Sequence, residues 1–263
     1  YYADALTIFL EAYGSEHPSV AASFNNYGMV YKAKGEIDEA LKYHNNALNI
    51  QLKALKHNHY DIATTYHSIG MIYKEQKRYE EALTYLEKAL AIEKEVLSDD
   101  HHDIATTYLN IGSIYFDVKM YDEALKYYTK AHNINRKIDG GDNASIATSY
   151  HNIGTVYYAQ GLLNEAIANY QTSIAIREKV LTPNHHDLAV AYYNIALAYQ
   201  DKLRHNEALN YYMKAMSILE HTADSNALHL ASLYENVGII HFEKNDYSVA
   251  VEYYEKAKEI RER

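Results

Sequence analysis

The stretch Tyr108 to Tyr115, "YLNIGSIY", places a glycine and an asparagine inside an apolar pattern of helical period. Glycine in a helix interior costs about 1 kcal/mol relative to alanine, and asparagine is also a weak helix former. The reason for accepting both lies in where else they occur. Steps of 42 residues from Gly112 reach Gly28, Gly70, Gly154 and Gly238, with Ala196 in the remaining place. The same step from Asn110 reaches Asn26, Ser68, Asn152, Asn194 and Asn236. A fixed period of this length defines a repeat array, in which each unit buries its apolar face against its neighbours.

Most of the tyrosine excess, 29 residues in all, is explained by the same register. Phe24, Tyr66, Tyr108, Tyr150, Tyr192 and Tyr234 form one row; Tyr31, Tyr73, Tyr115, Tyr157 and Tyr199 form a second, completed by His241. In the unit that starts at Asp103, Ala105, Tyr108, Ile111, Gly112 and Tyr115 mark the buried stripe of a first helix. A short "DVKM" turn leads to a second helix from about Tyr121 to Lys137. Its alanine row (Ala40, Ala82, Ala124, Ala166, Ala208, Ala250) predicts a close helix crossing. Ser19, Asp61, Asp103, Ser145 and Asp187 stand where a side-chain oxygen would cap the next first helix.

A net charge of −10 spread along the units disfavours nucleic acid and anionic membranes as partners. There is no cysteine, so neither a disulfide framework nor thiol chemistry is available. No apolar run approaches the length of a membrane helix and no signal peptide opens the sequence, so a cytoplasmic location is expected by elimination. Gly-rich phosphate loops, HExxH and nucleophile elbows are absent, and neither a catalytic role nor a cofactor is expected. Fifteen histidines, especially in "DDHHD" and "PNHHD", raise a metal site; adjacent loop histidines lack a third ligand, and they are read as solvated.

The row set Tyr108, Gly112, Tyr115, Ala124, Tyr128 and Ala131 resembles the tetratricopeptide repeat. Phe or Tyr replaces the family's early tryptophan, and its closing proline is missing. The 42-residue length and the openings "HPSVA", "HYDIA" and "HHDIA" are similar to the long-repeat subclass of kinesin light chain. The resemblance implies an all-α, right-handed superhelical α-solenoid of antiparallel helix pairs, with thirteen helices. The expected layout is a single solenoid over 1–263. Residues 1–18, through Ala5 and Ile8, are the second helix of a truncated repeat plus its loop. Six repeats follow at 19–60, 61–102, 103–144, 145–186, 187–228 and 229–263. A fragment of a longer protein is the reading that fits these ends.

The resemblance also places the first helices on a concave groove. The face opposite the buried stripe carries Ala22, Thr64, Thr106, Thr148, Val190 and Ser232, then the asparagine row, then Met29, Met71, Ser113, Thr155, Leu197 and Ile239, with no charge. An amide offers one acceptor and two donors, which suits an extended peptide backbone. The candidate peptide-binding residues are Asn26, Ser68, Asn110, Asn152, Asn194 and Asn236, with Asn25, His67, His151 and Tyr193 beside them. An alternative, compatible with this one, is that the asparagines bond to one another or to backbone, acting as internal glue. The expected function is a protein-interaction scaffold or adaptor. Given Asp117, Asp201, Glu235 and Glu243, its partner is a neutral or basic extended segment. The alternative is a structural module that self-associates through its terminal repeats.

Overall fold

The computed structural model describes residues 2–141, 143–220 and 223–262, with side chains described at 8–138, 140–141, 143–220 and 227–262; Ala5's side chain lies outside these. All regular structure among them is helical: α1 Tyr2–Tyr13, α2 Pro18–Ala33, α3 Ile37–Ala54, α4 Tyr60–Glu75, α5 Tyr79–Val96, α6 His102–Asp117, α7 Tyr121–Asp139, α8 Ala144–Ala159, α9 Leu163–Val180, α10 His186–Asp201, α11 His205–Leu219, α12 Ala223–Glu243 and α13 Tyr247–Glu262. The chain divides into two compact units, Tyr1–Ile138 and Asp139–Arg263. In the first, α2 pairs with α3 and α4 with α5, while α1 packs on α2, α3 on α4 and α5 on α6. In the second, α8 pairs with α9, α10 with α11 and α12 with α13, while α9 packs on α10 and α11 on α12. Tight turns make each pair antiparallel, and the architecture is an α-solenoid of paired repeats.

The glycine row is a packing requirement. A Cβ on Gly112 would stand 2.8 Å from Tyr128 Cδ1, one on Gly154 2.9 Å from Tyr170, one on Gly70 2.9 Å from Leu86 and one on Gly28 2.5 Å from His44. The second helix thus lays a large side chain straight onto the first helix backbone. Flanking this contact, Ala40, Ala82, Ala124, Ala166, Ala208 and Ala250 are all buried.

The first helix buries more than one stripe. Val20, Ile62, Ile104, Leu188 and Leu230 are buried on a second side, where the preceding second helix packs, and Ile146 is buried at the same register. The tyrosines form ring trios: Tyr127 stacks on Tyr115 (centroids 5.4 Å apart) and tilts against Tyr108 (5.8 Å), with Lys130 over the Tyr127 face at 4.8 Å. Lys214 repeats this over Tyr211 and Tyr192. Where the trio loses its third ring, at Asn169, the lysine is also replaced, by Thr172.

The capping expectation needs correction. Ser19, Asp61, Asp103 and Asp187 donate through their backbone N–H groups, at 3.1–3.2 Å, to Nδ1 of His17, His59, His101 and His185, two residues earlier; Ser145 N–H donates to Asn143 Oδ1 at 2.6 Å. Each acceptor residue has extended φ/ψ, as an N-cap requires, whereas the Ser and Asp positions already lie inside the first turn. There the aspartates place negative charge at the positive end of the helix dipole. His17, His59, His101 and His185 are therefore structural caps, not merely solvated loop residues. Replacing His101 and His185 by Ala should cost about 1 kcal/mol each, while Asn at either position should keep most of the stability, read from urea midpoints.

Each pair turns through one left-handed residue, at Gly35, Lys77, Lys119, Gly161, Leu203 and Asn245 (φ 58–79°). The N–H of the following residue reaches back to the carbonyl five residues before it, as Arg204 does to Tyr199 at 2.9 Å. Leu203 is 73 % exposed, so its side chain contributes little packing against the cost of its conformation. Leu203→Gly should raise stability by about 0.5–1 kcal/mol in thermal unfolding.

Candidate functional site

With a 42-residue period and first helices lying side by side, residue n of one first helix faces residue n+43 of the next. In the first unit Lys32 pairs with Glu75 at 2.7 Å, Tyr60 Oη donates to Asp103 Oδ2, and Asn110 Nδ2 meets His67 Nε2 at 2.8 Å. In the second, Asn194 Nδ2 meets His151 Nε2 at 3.1 Å, Tyr158 Oη donates to Asp201 Oδ2 at 2.7 Å, and Asn236 Nδ2 donates to Tyr193 Oη at 3.2 Å. These ties sit seven residues apart along each helix, two turns, and so form one stripe.

The sequence-predicted residues are thus brought together, but as partners of one another. His67 holds Asn110, His151 holds Asn194 and Tyr193 holds Asn236. Asn25 is drawn into a separate network, donating to Thr65 Oγ1 at 2.7 Å and lying 2.9 Å from His44 Nδ1 through its Oδ1. Ser68 turns its hydroxyl back onto the Thr64 carbonyl. Asn26 and Asn152 are half-buried and make no side-chain hydrogen bond among the described residues. The tied asparagines spend one amide N–H, leaving Oδ1 and the second N–H toward the half-open face.

Beside this stripe each unit holds a slot, and the two slots occupy the same register. In the first unit Tyr60, Thr64, His67, Glu93, Asp103, Thr106 and Thr107 enclose about 180 Å³. In the second, about 260 Å³ is lined by His186, Val190, Tyr193, Leu219, His229, Ser232 and Leu233, each 126 residues on, together with Ala189 and Asn194. Walls come from two consecutive first helices. The floor is a single residue near the end of the intervening second helix, Glu93 in one unit and Leu219 in the other.

That floor row was not among the sequence-predicted sites. It reads Gln51, Glu93, Asn135, Arg177 and Leu219, all buried. The signal was available: position 51 follows positions 40, 44, 47 and 48 at core spacing, yet it holds polar residues of every charge. Gln51, Glu93 and Arg177 are each met by a polar group on the next first helix, whereas both side-chain polar atoms of Asn135 lack a hydrogen-bond partner among the described residues. Thr65 Oγ1 donates to Gln51 Oε1 at 2.8 Å and Thr107 Oγ1 to Glu93 Oε1 at 3.1 Å, while Arg177 lies 3.4 Å from His151 Nδ1 and 3.5 Å from the Asp187 carbonyl.

Burial dominates the electrostatics. It raises the Glu93 carboxyl to about 7, with Asp103 adding to the rise and the Thr107 hydroxyl opposing it. His151 is brought down to about 4 by burial and the neighbouring Arg177 guanidinium, and burial lowers His67 as well. Both imidazoles are therefore neutral hydrogen-bonding groups at neutral pH. Among the described residues no three His, Asp or Glu side chains come together as metal ligands, and no helix is long and apolar enough to cross a membrane.

The tetratricopeptide repeat profile matches residues 1–53, 19–95, 61–137, 103–179, 145–221 and 187–263. The chain belongs to the tetratricopeptide repeat family. Members of this family form scaffolds typical of protein–protein interaction. No curated protein sequence matches this tetratricopeptide chain significantly. Among solved structures it is similar to BtubC (BKLC) from P. vanneervenii, at 19 % identity over 84 % of this chain and 87 % of that one (TM-score 0.71). It is similar to nearly identical TPR-like repeats from Podosopora anserina, named for kinesin light chain, at 24 % identity over 78 % and 98 % (TM-score 0.66). It is also similar to the apo form of RapI, at 17 % identity over 92 % and 97 % (TM-score 0.72). The 42-residue spacing and the kinesin-light-chain likeness agree.

A Glu93 carboxyl raised in the folded state contributes stability below about pH 4.5 that is lost as pH rises to about 7. Glu93→Gln should therefore leave stability unchanged near pH 4.5 and raise it by about 2–3 kcal/mol at pH 8. Gln51 already holds the same place against Thr65, so the amide fits. His44 and His151, lowered to about 4, lose stability as pH falls below 6.5, but equally in both proteins. The difference between two urea titrations at each pH isolates Glu93.

Proposed function

We propose that the first-helix face of this tetratricopeptide protein binds an extended peptide segment, with asparagine amides engaging its backbone and the slots taking its side chains. The observation that carries this reading is the pairing of a row of neutral amides with slots that recur in register. Walls from equivalent positions and floors of different chemistry suit selection of a different side chain at each slot. The acids near this face are partly engaged: Asp201 by Tyr158, Glu235 by Arg261 at 2.7 Å and Glu243 by His205 at 3.5 Å. With Lys32 paired to Glu75 and Lys74 donating to Ser113 at 2.6 Å, the face offers little to acidic cargo, and a neutral or basic segment fits best.

The test is selection from a displayed random-peptide library, followed by calorimetry with a selected peptide. Asn152, which holds no side-chain partner among the described residues, separates recognition from packing. Asn152→Ala should weaken the peptide by about 0.5–1.5 kcal/mol with stability unchanged or improved. Asn110→Ala should lower both affinity and stability, because it also frees His67. If Asn152→Ala leaves affinity unchanged while Asn110→Ala affects stability alone, the stripe is internal glue and the reading fails.

A further inference from the structure

The slot in the first unit holds a buried carboxylate oxygen without a donor. Glu93 is 4 % exposed; its Oε1 accepts from Thr107, but its Oε2 has no hydrogen-bond partner among the described residues. Such an oxygen is costly to bury unless a cation or donor meets it. The groups facing it from the neighbouring helices supply none. From α4 come Tyr60, whose hydroxyl is spent on Asp103, and His67, whose Nε2 is engaged by Asn110. From α6 come Asp103, a second acid, and Thr106, which donates to the His102 carbonyl. No Lys or Arg lines the slot.

We propose that this slot binds the ε-ammonium of a lysine carried by the extended segment, with Glu93 and Asp103 as its counterions. This rests on the peptide-binding reading above and names one side chain the segment carries. A lysine ammonium has three donors on a compact head, against five in the planar fork of arginine. Glu93 Oε2, a carboxylate oxygen of Asp103 and the Thr106 hydroxyl oxygen provide three acceptors in a space of about 180 Å³. The methylene stem can run along the Tyr60 ring and the Thr64 methyl toward solvent. The equivalent slot above Leu219 has no acid on its floor and excludes a charge for the same reason that this one requires it.

Binding carries a proton balance. Below about pH 7 the empty slot holds Glu93 as the acid. The ammonium arrives with all three of its protons, so the Glu93 O–H bond breaks and one proton leaves to solvent for each ligand bound. Burial lowers His67, so protonation of its ring is disfavoured rather than favoured by the slot. Affinity for lysine should therefore rise about tenfold between pH 6 and pH 8.

The test is a residue-resolved NMR titration of the whole chain with blocked pentapeptides of the form Ac-Ala-Ala-X-Ala-Ala-amide, where X is Lys, Gln or Arg. Resonances of His67, Thr106 and Thr107 report this slot, and those of Val190, Tyr193 and Ser232 report the apolar one. The expected result is that the Lys peptide shifts the first set at least tenfold more tightly than the Gln or Arg peptide, and more tightly at pH 8 than at pH 6. Glu93→Gln should remove the preference. Equal binding of Lys and Gln peptides to the unmodified chain overturns the proposal without recourse to any variant. A Lys preference that survives Glu93→Gln overturns it too. Shifts confined to the apolar slot leave peptide binding standing and remove lysine from the first slot. Absence of shifts at the first slot overturns the proposal, while the library selection decides the broader reading separately.

Discussion

The close crossing at the glycine row fixes the distances on which the other contacts rely. With no Cβ at Gly28, Gly70, Gly112, Gly154 or Gly238, the second helix rests His44, Leu86, Tyr128, Tyr170 or Tyr254 directly on the first helix backbone. That contact brings the alanine row into the core and draws the tyrosine trios together. It also explains why a residue that weakens an isolated helix is retained: about 1 kcal/mol of propensity is small beside the overlap that a methyl group would create. The one exception, Ala196, still packs fully buried near Tyr212, so a single pair accommodates the extra methyl.

From this spacing follows a division of labour among faces. The apolar rows of the first helix serve the second helices on either side. The remaining stripe meets the next first helix, and there polar side chains tie consecutive repeats in the n to n+43 register. Such ties are individually modest, about 0.5–1.5 kcal/mol, but they are directional. Slippage of one repeat against the next would break each of them, so they fix register where apolar packing alone is tolerant.

The slots are a consequence of the same register. Two parallel first helices and the end of one second helix enclose a small space wherever the side chains at the contact are short. Its floor residue changes in chemistry, from Glu93 in one unit to Leu219 in the other, at equivalent positions of the repeat. A repeat fold can thereby change what it accepts at one slot without altering its packing elsewhere, because each repeat contacts only its neighbours.

The period, the helix pairs, the alanine and tyrosine rows and the need for glycine were all determined by the sequence itself, because packing that recurs in every repeat leaves the same residue at the same step. Features of a single repeat, or joining two repeats, were decided by tertiary structure. YLNIGSIY showed that Asn110 is special but not that His67 is its partner, since the pairing depends on how far one repeat is rotated against the next. The caps were displaced by two residues because His at an N-cap is a less familiar signal than Asp, and only backbone conformation shows that Asp103 already lies inside the helix. Glu93 stood in plain view on a core-facing stripe. Its protonation and its role as a floor follow from burial and from the neighbours that Asp103 and Thr107 become once α6 packs on α5.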